Sequence, residues 1–329
     1  MYILHKGFFK HAPADISIQG RFFMNSSLMN QMILIFGLIA VGYIANKTGI
    51  LNEAANRCFS SFLLKIALPS TIVNSAIGQG NANRSQVLLA VLAAVGVFTL
   101  IPLISWGIAS IFHWNATWQL MLDYSNLGFM GFPLIRSLYG EENMFYAAIF
   151  MMVFNIHIFT VGVLILKSGS KRDKTDRVEE NKYGKFLNPG IISSLLAFVI
   201  LIFQIPVPDS LAGIVSSLGA VTTPLALVVI GSQLALVDLV KCLTRWELYI
   251  MCFLKLILYP MVVYMLLMVL VGPGLVTSIA TILVGLPVAG NVTMLCSEYG
   301  GDVSLAAQGT GIAILISGIT IPAMLSLIG

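Results

Sequence analysis

Two apolar segments of this sequence each carry an asparagine beside a cluster of glycine and proline. The first reads NLGFMGFP over residues 126–133, and the second reads GLPVAGN over residues 285–291. Glycine and proline at this density are expected to break a helix and free backbone N–H and C=O groups. Lipid cannot satisfy such groups, so they must line a cavity, where the start of a half-helix favours an anion. The candidate binding residues are Asn126, Gly128, Gly131, Pro133, Pro287, Gly290 and Asn291.

Each asparagine offers both a donor and an acceptor at the level of its break. If the two helices cross, Asn126 and Asn291 can approach one site from opposite ends. A structural alternative stays open: the glycines and prolines would only permit close helix packing, and each asparagine would bond to nearby backbone. Two matched segments favour the binding interpretation, with the breaks expected at 128–133 and 285–290.

Several charged or titratable residues lie within apolar segments, where a charge is costly unless it has a partner. Arg136 could clamp a carboxylate through two parallel hydrogen bonds, so we add it to the candidate binding residues. Asp123 could carry a coupling proton, and Lys65 and Lys255 could hold carbonyl groups or an acid. His157 could titrate near neutral pH. The structural alternatives are snorkelling of Asp123 and Arg136 to a membrane face and simple hydrogen-bonded packing of His157.

The elements that must position these residues follow from composition. Of 329 residues, 58% are apolar and 10% are charged, and the mean hydropathy is +0.93. A soluble domain would be about one quarter charged, so the sequence predicts an all-α membrane protein of about ten spans. The expected spans are 30–46, 55–77, 85–112, 117–138, 143–167, 189–205, 210–236, 247–271, 275–296 and 304–328.

Prolines indicate an internal repeat. Three pairs recur at similar separations along the chain, namely Pro69 with Pro224, Pro102 with Pro260, and Pro133 with Pro287. Five spans per half would place the halves in opposite orientation, with spans four and nine as the broken crossover helices. The expected divisions are an N-terminal extension (1–23), a first five-helix repeat (24–167), a linker (168–187) and a second repeat (188–329).

Lysine and arginine predict the orientation, because they remain on the cytoplasmic side. The linker is strongly basic, so we expect it in the cytoplasm and both termini outside, in a multi-pass protein of the inner (plasma) membrane. Residues 1–23 oppose this orientation because they carry three basic residues. An over-extended start is one explanation, since Met24 or Met29 would open the chain on the first apolar span.

Other kinds of chemistry have little support in the sequence. The four cysteines have no CxxC spacing, and neither a phosphate-binding Gly-Lys-Ser/Thr loop nor a His-Glu-x-x-His motif is present. We therefore expect no cofactor, no metal, no enzymatic activity and no nucleic-acid partner. The expected partners are the lipid bilayer and a small organic anion, with a proton or sodium as coupling ion. A homodimer is left open.

The first segment also resembles a known signature. Residues 126–133 are similar to the Asn-x-Gly-Phe-x-Gly-x-Pro motif in the fourth span of the auxin efflux carrier family, which includes bacterial malate and malonate permeases. The resemblance covers residues 28–329. Further matches are Asn188-Pro189, Thr223-Pro224 with Gly231 and Leu234-Ala235, Lys255 to Pro260, Pro287, Asn291, Tyr299-Gly300 and Pro322.

This resemblance implies ten helices in two inverted repeats and an elevator-like motion of one bundle against a scaffold. It also implies that Asn126 and Asn291 are crossover asparagines beside the site of an organic anion such as malate or malonate. Asp123 and Arg136 depart from the family pattern, which has small or apolar residues there. Two alternatives remain: a sodium-coupled carrier of the bile-acid type, and a membrane receptor or enzyme that uses the cavity without transport.

Overall fold

A computed structural model describes residues 18–77, 84–140, 143–169, 189–237 and 244–328. Residues 1–17 of the predicted extension and residues 170–187 of the predicted linker lie outside the described residues. The α-helices are Ile18–Lys47, Glu53–Phe62, Leu68–Asn74, Arg84–Phe112, Ala116–Asp123, Phe132–Tyr139, Met144–His157, Val163–Gly169, Pro189–Phe203, Asp209–Ala220, Thr222–Leu234, Trp246–Phe253, Tyr259–Leu270, Leu275–Val284, Gly290–Tyr299 and Val303–Ile328. The only β pairing in this part of the chain is an isolated bridge between Ser125 and Val288.

These helices have the length and composition of a membrane protein. Five helical runs in the described ranges are long and apolar enough to cross a bilayer: Ser85–Phe112, Met144–Ser168, Asp209–Leu234, Trp246–Leu270 and Val303–Ser326. Shorter apolar helices cover Ile33–Lys47, Pro189–Phe203 and Leu275–Val284. Each expected span coincides with one helix or with a run of consecutive helical segments. The predicted all-α membrane class is therefore confirmed.

Wide π turns interrupt several of these helices. Three of them end two residues before a proline: Leu63–Ala67 before Pro69, Leu127–Gly131 before Pro133, and Leu254–Leu258 before Pro260. Proline has no N–H and its ring displaces the carbonyl group one turn earlier. The preceding turn widens, so that the N–H just before the proline bonds five residues back, as from Leu68 to the Leu63 carbonyl.

The helices pack in two groups. In the first group, Ile18–Lys47 and Glu53–Phe62 both pack on Thr222–Leu234. Leu68–Asn74, of the same group, packs on Pro189–Phe203 and Asp209–Ala220. The second surrounds the two broken helices and consists of the segments from 84 to 169 and from 246 to 328. The groups also touch, for example where Met144–His157 meets Pro189–Phe203. The candidate residues at the breaks therefore belong to the second group.

Two glycines allow the tightest helix contact of the first group. A Cβ atom added at Gly42 would lie 1.9 Å from the Val228 carbonyl oxygen, and one added at Gly231 would lie 1.9 Å from the Ile39 carbonyl oxygen. Only hydrogen fits at either position, as at other close helix crossings in membranes. Helices Ile18–Lys47 and Thr222–Leu234 are thus held backbone against backbone.

Candidate functional site

The two broken helices meet at their breaks. The first broken helix consists of Ala116–Asp123, the π turn Leu127–Gly131 and Phe132–Tyr139, and the second consists of Leu275–Val284 and Gly290–Tyr299. The Asn126 N–H donates to the Pro287 carbonyl oxygen at 2.8 Å, and the Ala289 N–H donates to the Tyr124 carbonyl oxygen at 3.0 Å. Each break thereby satisfies backbone groups that the other leaves open. We call this pair of contacts the crossing.

The first break lies nearer the N-terminus than the sequence predicts. Residues 124–126 are not helical, whereas the predicted break, 128–133, is helical. Gly128 and Gly131 belong to the π turn, and Pro133 follows it in Phe132–Tyr139, where the widened turn accommodates its ring and its missing N–H. The prediction for the second helix is confirmed, since residues 285–289 separate its two halves.

The glycines near the crossing differ in their surroundings. A Cβ atom on Gly131 would lie 2.8 Å from Leu283 and 3.0 Å from Leu286, so this glycine lets the broken helices approach each other. One on Gly128 would lie 3.0 Å from the Leu68 side chain, whereas one on Gly290 would have no neighbour within 4 Å. Packing alone therefore accounts for the glycine at 131, but not for the one at 290.

Asn126 is buried at the crossing, and one of the two polar atoms of its side-chain amide forms a hydrogen bond. Its Oδ1 atom accepts a hydrogen bond from the Phe129 N–H at 3.2 Å and so caps the π turn. Its Nδ2 atom has no hydrogen-bond partner in the part of the chain that the structure describes. A buried amide donor without a partner costs about 1–3 kcal/mol, and a ligand that accepts from Nδ2 would remove this cost.

Asn291 lies on the other side of the same small space. A cavity of about 10 Å³ is lined by both asparagines, by the start of the π turn at Leu127 and by Ala289, the residue before helix Gly290–Tyr299. A second cavity of about 20 Å³ borders Asn291 and Gly290 and reaches Ser60 and Gln233. Each has room for about one water molecule. The crossing is therefore closed to any organic anion in this conformation.

Three polar side chains converge on the last turn before the first break. Asp123 is 1% exposed, and its Oδ1 atom accepts a hydrogen bond from the Ser105 hydroxyl group. Lys255 is 0% exposed, and its Nζ atom donates to the Leu122 carbonyl oxygen at 2.7 Å. Lys255 also interacts electrostatically with Asp123. Two of the predicted ion-coupling candidates, which are 132 positions apart in sequence (255 − 123), thus form one cluster.

His157 is placed near the crossing through Tyr124. The Tyr124 hydroxyl group lies 2.9 Å from the His157 Nδ1 atom, and the Tyr124 ring packs against Phe154 at 5.7 Å between centroids. Tyr124 also supplies the carbonyl group of the crossing. Asn155, two residues before His157, points elsewhere and donates to the Ser194 hydroxyl group at 3.3 Å. As expected for residues two apart on a helix, only His157 faces the broken helices.

The remaining two charged candidates lie away from the crossing. Lys65 is exposed in the π turn Leu63–Ala67, and Arg136 is exposed in the last turn of Phe132–Tyr139. Neither residue lines the two cavities at the asparagines. An Arg136 clamp would therefore require the arginine or the crossing to move.

A large cleft opens beside the closed cavities. Its volume is about 660 Å³, and its lining combines the start of Glu53–Phe62, the end of Thr222–Leu234 and the first turns of Val303–Ile328. Asn56 is buried there, and both its Oδ1 and Nδ2 atoms lack partners among the described residues. Ile230 and Gln233 line both this cleft and the 20 Å³ cavity at Asn291. A thin layer of side chains thus separates the cleft from the crossing.

Sequence reasoning missed several residues of this region. Ser105 and Tyr259 meet Asp123 in space, although their positions in sequence give no sign of it. Ser125 donates to the Val284 carbonyl oxygen at 2.9 Å and so ties the first break to the end of Leu275–Val284. Asn56 could have been identified from the sequence, because an amide side chain within an apolar span needs a hydrogen-bond partner.

The described geometry defines a multi-span helical membrane protein with two broken helices that cross beside a buried polar site. The sequence matches the family described as Membrane transport protein over residues 27–325. The chain belongs to this family of transporters, and the family predicted from the 126–133 signature is confirmed. An uncharacterized transporter of Methanocaldococcus jannaschii is 23% identical over 221 residues, which cover 63% of this chain and 69% of that protein.

Proposed function

We propose that the protein is a secondary carrier of small organic anions, of the malate or malonate type. The crossing is the observation that carries this proposal. The π turn after Asn126 and the helix that begins at Gly290 both start at the 10 Å³ cavity. The positive ends of two half-helices therefore converge on one point, where they favour a negative charge.

The polar groups at this point suit a carboxylate better than a cation. The Nδ2 atom of Asn126 is an unused donor, and Asn291 supplies a second amide at the cavity wall. The first N–H groups of a helix also have no partner within the helix. Among the residues that the structure describes, no acidic side chain lines the cavity. A carboxylate could take up these donors, whereas sodium would require several oxygen ligands.

Transport requires that the closed crossing open. The cavity holds about one water molecule, so a substrate can enter only if the second helix group moves relative to the first. The 660 Å³ cleft lies between these groups, since residues 53–57 and 230–237 belong to the first and residues 303–314 to the second. An elevator-like motion, with the first group as scaffold, would open the crossing toward this cleft.

The proposal includes two inverted five-helix repeats (24–167 and 188–329). One structural feature supports it: the hydrogen bonds of the crossing are reciprocal. With the basic linker in the cytoplasm, the cleft would open on the cytoplasmic side and both termini would lie outside. The proposal places the protein in the plasma membrane as a multi-pass protein.

Uptake by purified protein in liposomes tests the proposal. We expect saturable exchange of labelled malonate or malate. Asn126→Ala and Asn291→Ala should each reduce exchange at least tenfold, about 1.4 kcal/mol of lost binding or barrier stabilisation. Gly37→Ala is a matched control, because a Cβ atom there would have no neighbour within 4 Å. Absence of organic-acid exchange in the wild type under any ion gradient would refute the carrier.

A further inference from the structure

The buried cluster at the end of Ala116–Asp123 has an unused acid. Ser105 donates to Asp123 Oδ1, but Asp123 Oδ2 has no hydrogen-bond partner among the described residues. The Tyr259 hydroxyl group lies at the same site, where it interacts with both Ser105 and Asp123. Lys255 donates to the Leu122 carbonyl oxygen instead of pairing directly with the carboxylate. A carboxyl group with one open oxygen in an apolar interior is a ready site for a proton.

Sodium fits this cluster poorly. A sodium ion would have to replace its water shell with several oxygen atoms, and it would lie beside the ammonium group of Lys255. The groups that face Asp123 are Ser105, Lys255 and Tyr259, with Tyr124 as its neighbour in sequence. Cys252 is buried one turn before Lys255. Among the described residues this set contains one carboxyl group and one amine, so a proton is the cation that it can exchange.

The cluster is joined to the crossing by consecutive residues. Leu122 accepts the hydrogen bond from Lys255, Asp123 is the acid, and Tyr124 supplies the carbonyl group that bonds to Ala289. An anion bound beside Asn126 would therefore lie close to Asp123. Its negative charge would favour the protonated form of the acid. Binding of the anion and of a proton would then support each other.

We propose that Asp123 binds the proton that is carried with the organic anion, and that Ser105 and Lys255 position and balance its carboxylate. Lys255 neutralises the acid when the proton has left. This inference rests on the proposed carrier function, which it makes more specific: the carrier is a proton symporter. The proton moves from water to one carboxylate oxygen and back, so no bond other than O–H is made or broken.

The transport test compares exchange with gradient-driven uptake in liposomes that contain malonate. An outside pH one unit below the inside pH should raise wild-type accumulation by up to about tenfold, because one proton then contributes about 1.4 kcal/mol. Asp123→Asn should abolish the response of malonate accumulation to the pH gradient. Asp209→Asn, which changes an exposed acid at the start of Asp209–Ala220, should behave as the wild type.

The double variant Asp123→Asn/Lys255→Met provides a neutral cluster if the single variant fails to fold. The proposal would be overturned if malonate accumulation in either folded variant responded to the pH gradient as it does in the wild type. It would also be overturned if the wild type exchanged malonate but its accumulation did not respond to the gradient. Loss of exchange in the wild type would instead count against the carrier function itself.

An infrared titration tests the proton site without transport. The carbonyl stretch of a buried protonated carboxyl group should appear as the pH of the purified wild-type protein is lowered. The band should be missing in Asp123→Asn and present in Asp209→Asn. A spectrum without such a band, or one that Asp123→Asn leaves unchanged, would show that Asp123 does not bind a proton.

Discussion

Removing one charge of the Asp123–Lys255 cluster should destabilise the protein more than removing both. Lys255→Met deletes the 2.7 Å hydrogen bond to the Leu122 carbonyl oxygen and leaves the acid without its balancing charge. Asp123→Asn leaves Lys255, which is 0% exposed, without an acid. Breaking a buried pair in this way costs about 3–5 kcal/mol, whereas replacing the whole pair by neutral groups is often close to neutral.

The assay is reversible unfolding in mixed detergent micelles, read as the free energy of unfolding of each variant. We expect each single variant to lose about 3 kcal/mol. The double variant should lose less than either single variant, so that the coupling between the two sites exceeds about 3 kcal/mol. Additive losses in the double variant would refute the idea that the two charges balance each other.

Two further predictions concern packing and the surroundings of the crossing. Gly231→Ala should lower the free energy of unfolding by about 1–3 kcal/mol or more, because its Cβ atom would lie 1.9 Å from the Ile39 carbonyl oxygen. Gly37→Ala, with open space, should leave it unchanged, and equal stability of both variants would contradict the close helix contact. Tyr124→Phe should cost about 1 kcal/mol by removing the bond to His157, and should shift the imidazole NMR signals. Unchanged imidazole signals would argue against that bond.

Membrane class and helix positions could be predicted from sequence because apolar length is a local property. A segment such as Ser85–Phe112 is recognisable whatever its neighbours are. The predicted position of the first break was wrong because the break depends on contacts with a distant part of the chain. Gly128 and Gly131 are local signs of a weak helix, but the chain opens at 124–126, where backbone groups bond to Pro287 and Ala289 of the other helix.

The candidate site could be predicted only in part for the same reason. Composition singled out Asp123 and Lys255 because charges are rare in apolar spans, yet their meeting depends on the packing of the helices around them. Nothing local distinguished Lys65, which is exposed, from Lys255, which is buried. Ser105 escaped notice because serine is common in membrane helices, where it usually bonds to its own backbone.

Organic-anion exchange by the purified protein in liposomes, measured for the wild type, Asn126→Ala and Asn291→Ala, tests the central claim most directly. The account predicts exchange of malonate or malate by the wild type and a loss of at least tenfold in each variant, both of which should still fold. Exchange at the wild-type rate in both folded variants would contradict the assignment of the crossing as the substrate site.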